Sequence, residues 1–292
     1  MSLRLQPLHP LFAAEAGGVD LREPPDAKTA GEIVAAMDRY AVLVFRGPVV
    51  SEEAQLAFGR AFGPLDLGLG KVLKRPNRLR HDESIDISNV DGTGGIASLA
   101  SKKMYSQLAN QLWHSDSSFQ KPPARYSMLH SIVNPARGGE TEFADLRAAY
   151  DALPADLKRE VEGLRAQHYA LHSRIALGDT DWTEEQRNTL PPVEWPLVRV
   201  HPGSKRKLLF VGVHATHIVG MHVGQGRLLL AELLEHATQP RFVYRHEWRA
   251  GDLVMWDNRS VVHRGRRYDY SQRRELRRVS TEDVPAAAEQ AA

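Results

Sequence analysis

Short runs of apolar and β-branched residues recur along the chain, and each is followed within a few positions by glycine, proline, asparagine or aspartate. Such runs are typical of β-strands joined by turns. The predicted strands are AVLVF at 41–45, IDISNV at 85–90, RYSMLHSIV at 125–133, VEWPLVRV at 193–200, KLLFV at 207–211, FVYRHEW at 242–248 and DLVMW at 252–256.

Helical periodicity is limited to a few short segments, at residues 29–40, 51–62, 145–153 and 226–237. Ser51 is the expected N-cap of the second segment, and Gly63-Pro64 the expected stop. These helices lie early and late in the chain and do not alternate with the strands. The pattern therefore predicts a mainly β protein of the α+β class, a barrel or jelly roll with flanking helices.

The length and composition of the chain predict one domain. The chain has 292 residues, of which 42% are hydrophobic, enough to bury a large core. We expect a single domain over residues 1–284 and a disordered alanine-rich tail over 285–292. No apolar run has the length of a signal sequence or a membrane span, so we expect a cytoplasmic protein with no membrane partner.

Charge and cysteine content narrow the chemistry. There are 38 lysines and arginines against 36 acidic residues, and the net charge of +2 gives no overall field that would gather nucleic acid. The chain has no cysteine, which excludes disulfides, thiolate zinc sites, iron–sulfur clusters and a cysteine nucleophile. A metal would have to be bound by histidine and carboxylate.

One group of residues could form such a metal site. His114 and Asp116 are two positions apart, so in extended structure both side chains leave the same face. His263, at the end of WDNRSVVH, is the best third ligand. Two histidines and one carboxylate suit octahedral iron(II), because they leave adjacent positions for an oxoacid and dioxygen. The spacing alone also fits ordinary polar residues at strand ends, or a zinc hydrolase.

Other histidines have weaker claims. His81 and Glu83 have the same spacing as the first pair, which shows that such a pair can arise by chance; we expect them to lie outside the site, because only His114 and Asp116 fit the spacing to the downstream motifs of the family described below. His214 and His217 have helical ligand spacing without a nearby carboxylate. We expect His201, which follows a strand, to be a structural residue at least as readily as a ligand.

A basic run, RGRRYDYSQRRELRR, covers residues 264–278. A strand over 273–279 would put Arg274 and Arg278 on one face, which we expect to point inward. Two buried arginines would be very costly without anionic partners, and the planar guanidinium fits carboxylates. The alternative is a solvated basic face or a nucleic-acid patch.

Together these motifs resemble the taurine dioxygenase family of 2-oxoglutarate-dependent oxygenases. The similarity rests on the order and spacing of the His114 and Asp116 pair, GGET at 138–141, WDNRSVVH ending at His263, and Arg274. It extends over nearly the whole chain and favours the branch that oxidises aryloxyacetates. The segments that carry it include PLHPLFAA, VLVFRG, NQLWHSDSSFQ, ARYSML, RAAYDALP, LLLAELLEHAT, FVYRH, GDLVMWDNR and HRGRRYD.

The resemblance implies a double-stranded β-helix, or jelly roll, with Fe(II) as cofactor on the two histidines and the aspartate. It implies 2-oxoglutarate and O2 as cosubstrates, with Thr141 and Arg274 on the distal carboxylate of 2-oxoglutarate. It also implies Arg278 for the substrate carboxylate, with Lys71 and Asn110 as further substrate-binding residues.

The implied reaction is hydroxylation of the carbon next to the carboxylate of an aryloxyacetate such as 2,4-dichlorophenoxyacetate. The products would be a phenol and glyoxylate, with succinate and CO2 from the cosubstrate. The expected partner is a small anionic aromatic substrate and not nucleic acid, and homo-oligomer formation stays open. One alternative is the same chemistry on an alkyl sulfonate or another aryl carboxylate. Another is a non-catalytic metal- or nucleic-acid-binding protein.

Overall fold

The structure is a computed structural model that describes residues 3–72 and 77–284. The predicted tail at 285–292 lies outside the described residues. The strands are β1 (Arg4–Pro7), β2 (Ala14–Gly17), β3 (Val42–Phe45), β4 (Ile85–Ser88), β5 (Ala124–Val133), β6 (Thr141–Asp145), β7 (Arg165–His168), β8 (Val193–Pro196), β9 (Val198–Val200), β10 (Lys207–Leu209), β11 (Ala215–Ile218), β12 (Val243–His246), β13 (Leu253–Asp257), β14 (Val261–Gly265) and β15 (Glu275–Glu282). The helices are α1 (Ala27–Tyr40), α2 (Glu52–Arg60), α3 (Gly68–Val72), α4 (Lys102–Ala109), α5 (Leu146–Asp151), α6 (Ala155–Val161), α7 (His172–Ala176), α8 (Glu184–Thr189) and α9 (Val223–Ala237), and a 3-10 turn covers Pro240–Phe242.

Two sheets define the centre of the fold. The larger has seven strands in the order β1-β2-β3-β13-β5-β15-β4, and all its neighbours are antiparallel except β2 and β3. The smaller is the antiparallel sheet β12-β6-β14, in which His263 lies opposite Phe143. Two further sheets are β11-β7-β8, with three strands, and β10-β9, with two.

The two central sheets pack on each other through an apolar cluster. The rings of Phe143 on β6 and Trp256 on β13 are 5.4 Å apart, and both residues are almost fully buried. Leu129 on β5 and Leu276 on β15 belong to the same cluster. Burial of side chains of this size stabilises each by roughly 1.5–3 kcal/mol relative to exposure. The sheets therefore form a rigid frame, with His263 on one and Arg278 on the other.

Helices cover the outer face of the larger sheet. Ile33 and Met37 of α1 and Phe58 of α2 pack with Met128 of β5 and Met255 of β13 in a second apolar cluster. On the other side of the molecule, α5 and α9 pack with β10 in a third cluster. Both faces of the larger sheet are thus covered.

The structure confirms the predicted α+β class with many strands. Each predicted strand overlaps an observed one, but 193–200 is divided between β8 and β9, which belong to different sheets. Leu197 lies between them, and its N–H donates to the carbonyl of Leu164 while its own carbonyl accepts from Phe210. The backbone partners thus change at one buried residue, which periodicity alone does not reveal.

The predicted helices are all present, with different ends. Ser51 caps α2 as expected, since its hydroxyl accepts from the N–H of Ala54 at 3.1 Å. The first helix begins earlier than predicted, because the carboxylate of Asp26 accepts from the N–H of Thr29 at 2.7 Å. Helix α4 was not predicted, and of its residues only Met104 and Ala109 are buried.

Candidate active site

Two histidines and an aspartate meet between the central sheets. His114 and His263 form an antiparallel bridge, with N–H to carbonyl distances of 3.0 and 2.8 Å, and their rings are 4.2 Å apart. Each Nε2 is 3.7 Å from a carboxylate oxygen of Asp116. One ligand atom from each of the three residues lies within 4.8 Å of the others. We call this group the metal cluster, because its donor set and spacing fit one metal ion.

The two imidazoles are poised as neutral ligands. The Nδ1 of His114 is 2.7 Å from the carbonyl of Leu112, so it carries the proton and leaves a lone pair on Nε2. Burial lowers the pKa of His114, and burial together with the neighbouring His114 holds the pKa of His263 well below its usual value. Neutral imidazole is the form that binds a metal.

The carboxylate of Asp116 is held at both oxygens. The hydroxyl of Ser127 on β5 donates to Oδ2 at 2.8 Å, and the guanidinium of Arg278 on β15 donates to Oδ1. Burial would raise the pKa of Asp116, but the charge of Arg278, with the hydrogen bond from Ser127, outweighs burial and keeps this pKa well below its usual value. The carboxylate is therefore an anion at neutral pH.

Asn258 connects Asp116 to the frame. Its Oδ1 accepts from the N–H of Asp116 and from the indole N–H of Trp256, both at 3.0 Å, and its Nδ2 donates to Ser127 at 2.9 Å. Sequence reasoning did not single out Asn258 or Ser127. Both lie in segments that carry the family resemblance, Asn258 in WDNRSVVH and Ser127 in ARYSML, but neither segment indicated a role for these two residues.

Arg274 is a second cation at the site. It is 7% exposed, its backbone N–H donates to Asn89 at 2.8 Å, and its Nη2 donates to the carbonyl of Gly139 at 3.1 Å. Among the described residues its Nε has no hydrogen-bond partner and no carboxylate forms an ion pair with it. Burial lowers its pKa to about 10, so it stays charged at neutral pH. A buried guanidinium without an acid fits an anionic ligand.

Thr141 lies on the same cavity. It is the first residue of β6, is almost fully buried, and its hydroxyl oxygen accepts from the indole N–H of Trp248 at 3.1 Å. The hydroxyl proton therefore points elsewhere and can be donated to a ligand.

The site has two lobes that share Asn110, His114 and Arg278. The Arg274 lobe is lined in addition by Thr141, Leu129, Trp256, Tyr268, Tyr270 and Arg274. The His214 lobe is lined in addition by Leu69, Phe119, Ser173, Arg174, His214 and Asp116. Since the metal cluster borders both lobes, two different ligands could approach it together.

Lys71 lies outside both lobes. Its side chain is 50% exposed, and its ammonium contacts the carboxylate of Asp82. Asn110, by contrast, lines both lobes. The role predicted for Lys71 would require it to leave Asp82.

The remaining histidines divide between surface and structure. His81 and Glu83 lie at the surface and are outside the metal cluster, as expected. His201 is fully buried, with Nε2 2.9 Å from Asp257 and Nδ1 accepting from the N–H of Ser204. Asp257 also accepts three hydrogen bonds from Arg259, from its backbone N–H, Nε and Nη2, so both His201 and Asp257 are engaged by protein groups, which fits a structural role.

His214 was undervalued as half of a weak metal pair. It is 5% exposed, lines the His214 lobe, and its ring is 6.1 Å from that of His114. Its helical spacing with His217 has no meaning here, because both residues belong to the region around strand β11. Only the fold brings His214 to the site.

One prediction about the basic run was wrong. We expected a single inward face, but Arg277 on the opposite face is only 6% exposed. Its guanidinium donates to Gln55 of α2 at 2.7 Å and to the carbonyls of Val50 and Ser51. Helix α2 covers the outer face of β15, so the burial of an arginine on this strand does not by itself show which face of the strand points to the ligand site.

The comparisons identify the class of protein. The sequence profile of the family described as taurine catabolism dioxygenase TauD, TfdA family matches residues 4–280. The chain belongs to this family, and it is a 2-oxoglutarate-dependent dioxygenase, as its motifs predicted.

Particular relatives are similar over nearly their full length. The alpha-ketoglutarate-dependent 2,4-dichlorophenoxyacetate dioxygenase of Cupriavidus pinatubonensis (strain JMP 134 / LMG 1197) is 60% identical over 283 residues, 97% of this chain and 99% of that protein. The enzyme of the same name from Burkholderia sp. (strain RASC) is 57% identical over 281 residues, 96% of this chain and 95% of that protein. The crystal structure of AAD-2 in complex with Mn(II) and N-oxalylglycine has a TM-score of 0.93 and 43% identity, covering 97% of this chain and 99% of that one.

In the part of the chain that the structure describes, no helix has the length and apolar character needed to cross a membrane.

Proposed function

We propose that this dioxygenase hydroxylates the carbon next to the carboxylate of an aryloxyacetate such as 2,4-dichlorophenoxyacetate, giving a phenol and glyoxylate with succinate and CO2. The main support is the combination of the metal cluster with two separate guanidinium groups, Arg274 and Arg278, one for each of two carboxylate ligands. The 60% identity to an enzyme named for this substrate supports the same assignment.

We assign Fe(II) to His114, Asp116 and His263. Two neutral imidazole nitrogens and one anionic oxygen are the ligands of the facial set that iron oxygenases use. The bound iron would supply the activation of O2 for oxidation of the substrate carbon. The chain contributes fixed ligand directions, through the backbone bridge between the histidines and the bonds to Asp116.

The Arg274 lobe is the proposed site of 2-oxoglutarate. The guanidinium of Arg274, which lines this lobe, and the hydroxyl of Thr141 are the donors available for its distal carboxylate. A guanidinium fork takes a carboxylate bidentately, which fixes the direction of the bound chain as well as its charge.

Arg278 is the proposed partner of the substrate carboxylate. Its Nη1 holds Asp116, while its Nε has no partner among the described residues. A carboxylate bound there would put the adjacent carbon next to the metal cluster, and positioning of this kind is a large part of catalysis. The aromatic ring would then enter the His214 lobe against Leu69 and Phe119, near Asn110. A role for Lys71 stays a prediction.

We also propose that the two central sheets form a jelly roll and that residues 1–284 form one domain. Support comes from the antiparallel strand order and the apolar cluster between the sheets. A cytoplasmic location and homo-oligomer formation stay predictions.

The test is a panel of 2,4-dichlorophenoxyacetate, an alkyl sulfonate and an unrelated aryl carboxylate, each assayed with Fe(II), 2-oxoglutarate and O2 for succinate. The aryloxyacetate should give the highest kcat/KM and release its phenol. Faster turnover of the sulfonate would contradict the substrate assignment. A DNA gel shift with steep salt dependence, together with no succinate, would instead favour the nucleic-acid-binding alternative.

A further inference from the structure

The loop between β5 and β6 contains a glycine that touches the proposed oxoacid-binding arginine. Gly139 has a φ of +77°, and a Cβ at this position would lie 3.0 Å from Nε of Arg274, 3.3 Å from its Cδ and 3.2 Å from Cγ of Pro135. These distances are tighter than ordinary contacts, so a neighbour would have to move by a few tenths of an ångström. Arg274 thus lies in space that any side chain at 139 would fill.

The surrounding backbone leaves little room for other adjustments. Gly139 N–H donates to the carbonyl of Arg267 at 3.2 Å, and Gly138 forms a β-bridge with Tyr268. A Cβ on Gly138 would lie 2.4 Å from the carbonyl oxygen of Arg267, which shows how closely the two segments approach. The loop is therefore tied to the chain that carries Arg274.

Arg274 is anchored through its backbone as well. Asn89 is fully buried, its Oδ1 accepts the N–H of Arg274, and its Nδ2 donates to the carbonyls of Tyr270 at 2.9 Å and Gln272 at 2.8 Å. With the backbone held, the guanidinium of Arg274 is the part most able to move. Tyr268 lies across one face of it, 5.6 Å from ring centroid to Cζ, so the open direction is the Arg274 lobe.

We propose that Gly139 determines the chain length of the oxoacid cosubstrate. Because Gly139 has no side chain, the guanidinium of Arg274 lies back against the loop and donates to the Gly139 carbonyl, at a depth that accepts the distal carboxylate of a five-carbon dicarboxylate. The inference rests on the proposed role of Arg274. Gly139 is a specificity-determining residue that acts through Arg274 and does not itself meet the metal cluster.

The test is Gly139→Ala, assayed with 2-oxoglutarate, the shorter oxaloacetate and the longer 2-oxoadipate. A misplacement of about 1 Å can reduce a rate by ~10²-fold, so a shift of a few tenths of an ångström should reduce kcat/KM for 2-oxoglutarate several-fold to about tenfold. Oxaloacetate should lose much less or gain, because the guanidinium moves into the lobe, and 2-oxoadipate should lose most. Calorimetric binding of 2-oxoglutarate to the Mn(II)-loaded protein should weaken by a similar factor, while Mn(II) affinity stays unchanged.

Gly163→Ala is the matched control. Gly163 has a φ of +79°, and a Cβ there meets nothing within 4 Å, so the substitution adds the same backbone strain without touching Arg274. It should leave the ratios among the three oxoacids unchanged. Equal losses for all three oxoacids in Gly139→Ala, or a shift of their ratios in Gly163→Ala, would overturn the inference.

Asn89→Ser provides an independent variant if Gly139→Ala does not fold. It releases the Arg274 backbone without adding a methyl group, so the preference for 2-oxoglutarate over the other two oxoacids should narrow. An unchanged preference would contradict the inference. Wild-type protein that does not depend on 2-oxoglutarate at all would instead contradict the proposed function, so the two failures are distinguishable.

Discussion

Replacing Arg278 with alanine should weaken the aryloxyacetate far more than 2-oxoglutarate. The side chain of Arg278 is 14% exposed, contacts Asp116 and lines both lobes, and its Nε has no partner among the described residues. Arg274 has separate anchors, Asn89 and Gly139. The two cations should therefore affect different kinetic constants.

The size of the effect follows from burial. Removing one partner of a buried, hydrogen-bonded charge pair typically costs about 2–5 kcal/mol, or roughly 30- to several-thousand-fold in the affected constant. We expect the KM for the aryloxyacetate to rise within this range in Arg278→Ala. More 2-oxoglutarate should be consumed per phenol even at saturating substrate, because the bound substrate is poorly aimed.

The assay is a pair of kinetic series on each variant, varying one ligand while the other saturates, with iron content measured on the same samples. Arg274→Ala should show the reverse pattern and raise the KM for 2-oxoglutarate. Arg278→Lys should recover only part of the loss, since an ammonium restores the charge without the bidentate fork. If both alanine variants raise the same KM equally, or if neither variant changes either KM, the assignment of one carboxylate ligand to each arginine is wrong.

Further predictions concern the metal cluster. Asp116→Ala should reduce turnover by several orders of magnitude and lose iron, while the protein stays folded. His81→Ala, the control, should change turnover and iron content little. Turnover near that of the wild type in the purified Asp116 variant would refute the ligand assignment. Ser127→Ala should weaken Mn(II) binding, since Oδ2 of Asp116 loses its 2.8 Å hydrogen bond. Ser115→Ala is the control, because the Ser115 hydroxyl donates only to the carbonyl of Val261. Equal Mn(II) affinity in the two variants would argue that Ser127 does not position Asp116. Burial lowers the pKa of both cluster histidines, so iron should be retained at pH values near the ordinary histidine pKa of about 6.5 and lost only in more acidic solution. The metal-free protein should begin to lose folding stability below a pH of about 6.5, because histidines in the unfolded chain take up protons before the buried ones do. Iron content and activity measured together against pH test this, and loss of activity with iron retained would implicate another group.

The sequence predicted the parts of the site that lie close together in the chain or belong to a recognisable motif. His114 and Asp116 are two residues apart, and His263 ends a motif that follows an apolar strand. The alternation of Arg274, just before β15, and Arg278, within it, favoured two buried arginines with anionic partners, beside the alternative of a basic surface. These features depend on spacing and periodicity within short segments, which are visible in the sequence itself.

Other features depend on contacts between distant segments. His214 reaches the second lobe only because β11 pairs with β7, and Ser127 reaches Asp116 only because β5 lies beside the cluster. The burial of Arg277 depends on the packing of α2 on β15, which cannot be inferred from alternation along the strand. Lys71 looked like a pocket residue by resemblance, yet its ammonium contacts Asp82 outside both lobes.

The most direct test of the central claim is the stoichiometry of the reaction with 2,4-dichlorophenoxyacetate, measured as phenol, glyoxylate and succinate formed by the iron-loaded protein. The proposed function predicts one phenol and one glyoxylate per succinate, with no product when iron or 2-oxoglutarate is omitted. Succinate formed without phenol across the range of substrate concentrations, or phenol released without 2-oxoglutarate, would contradict it.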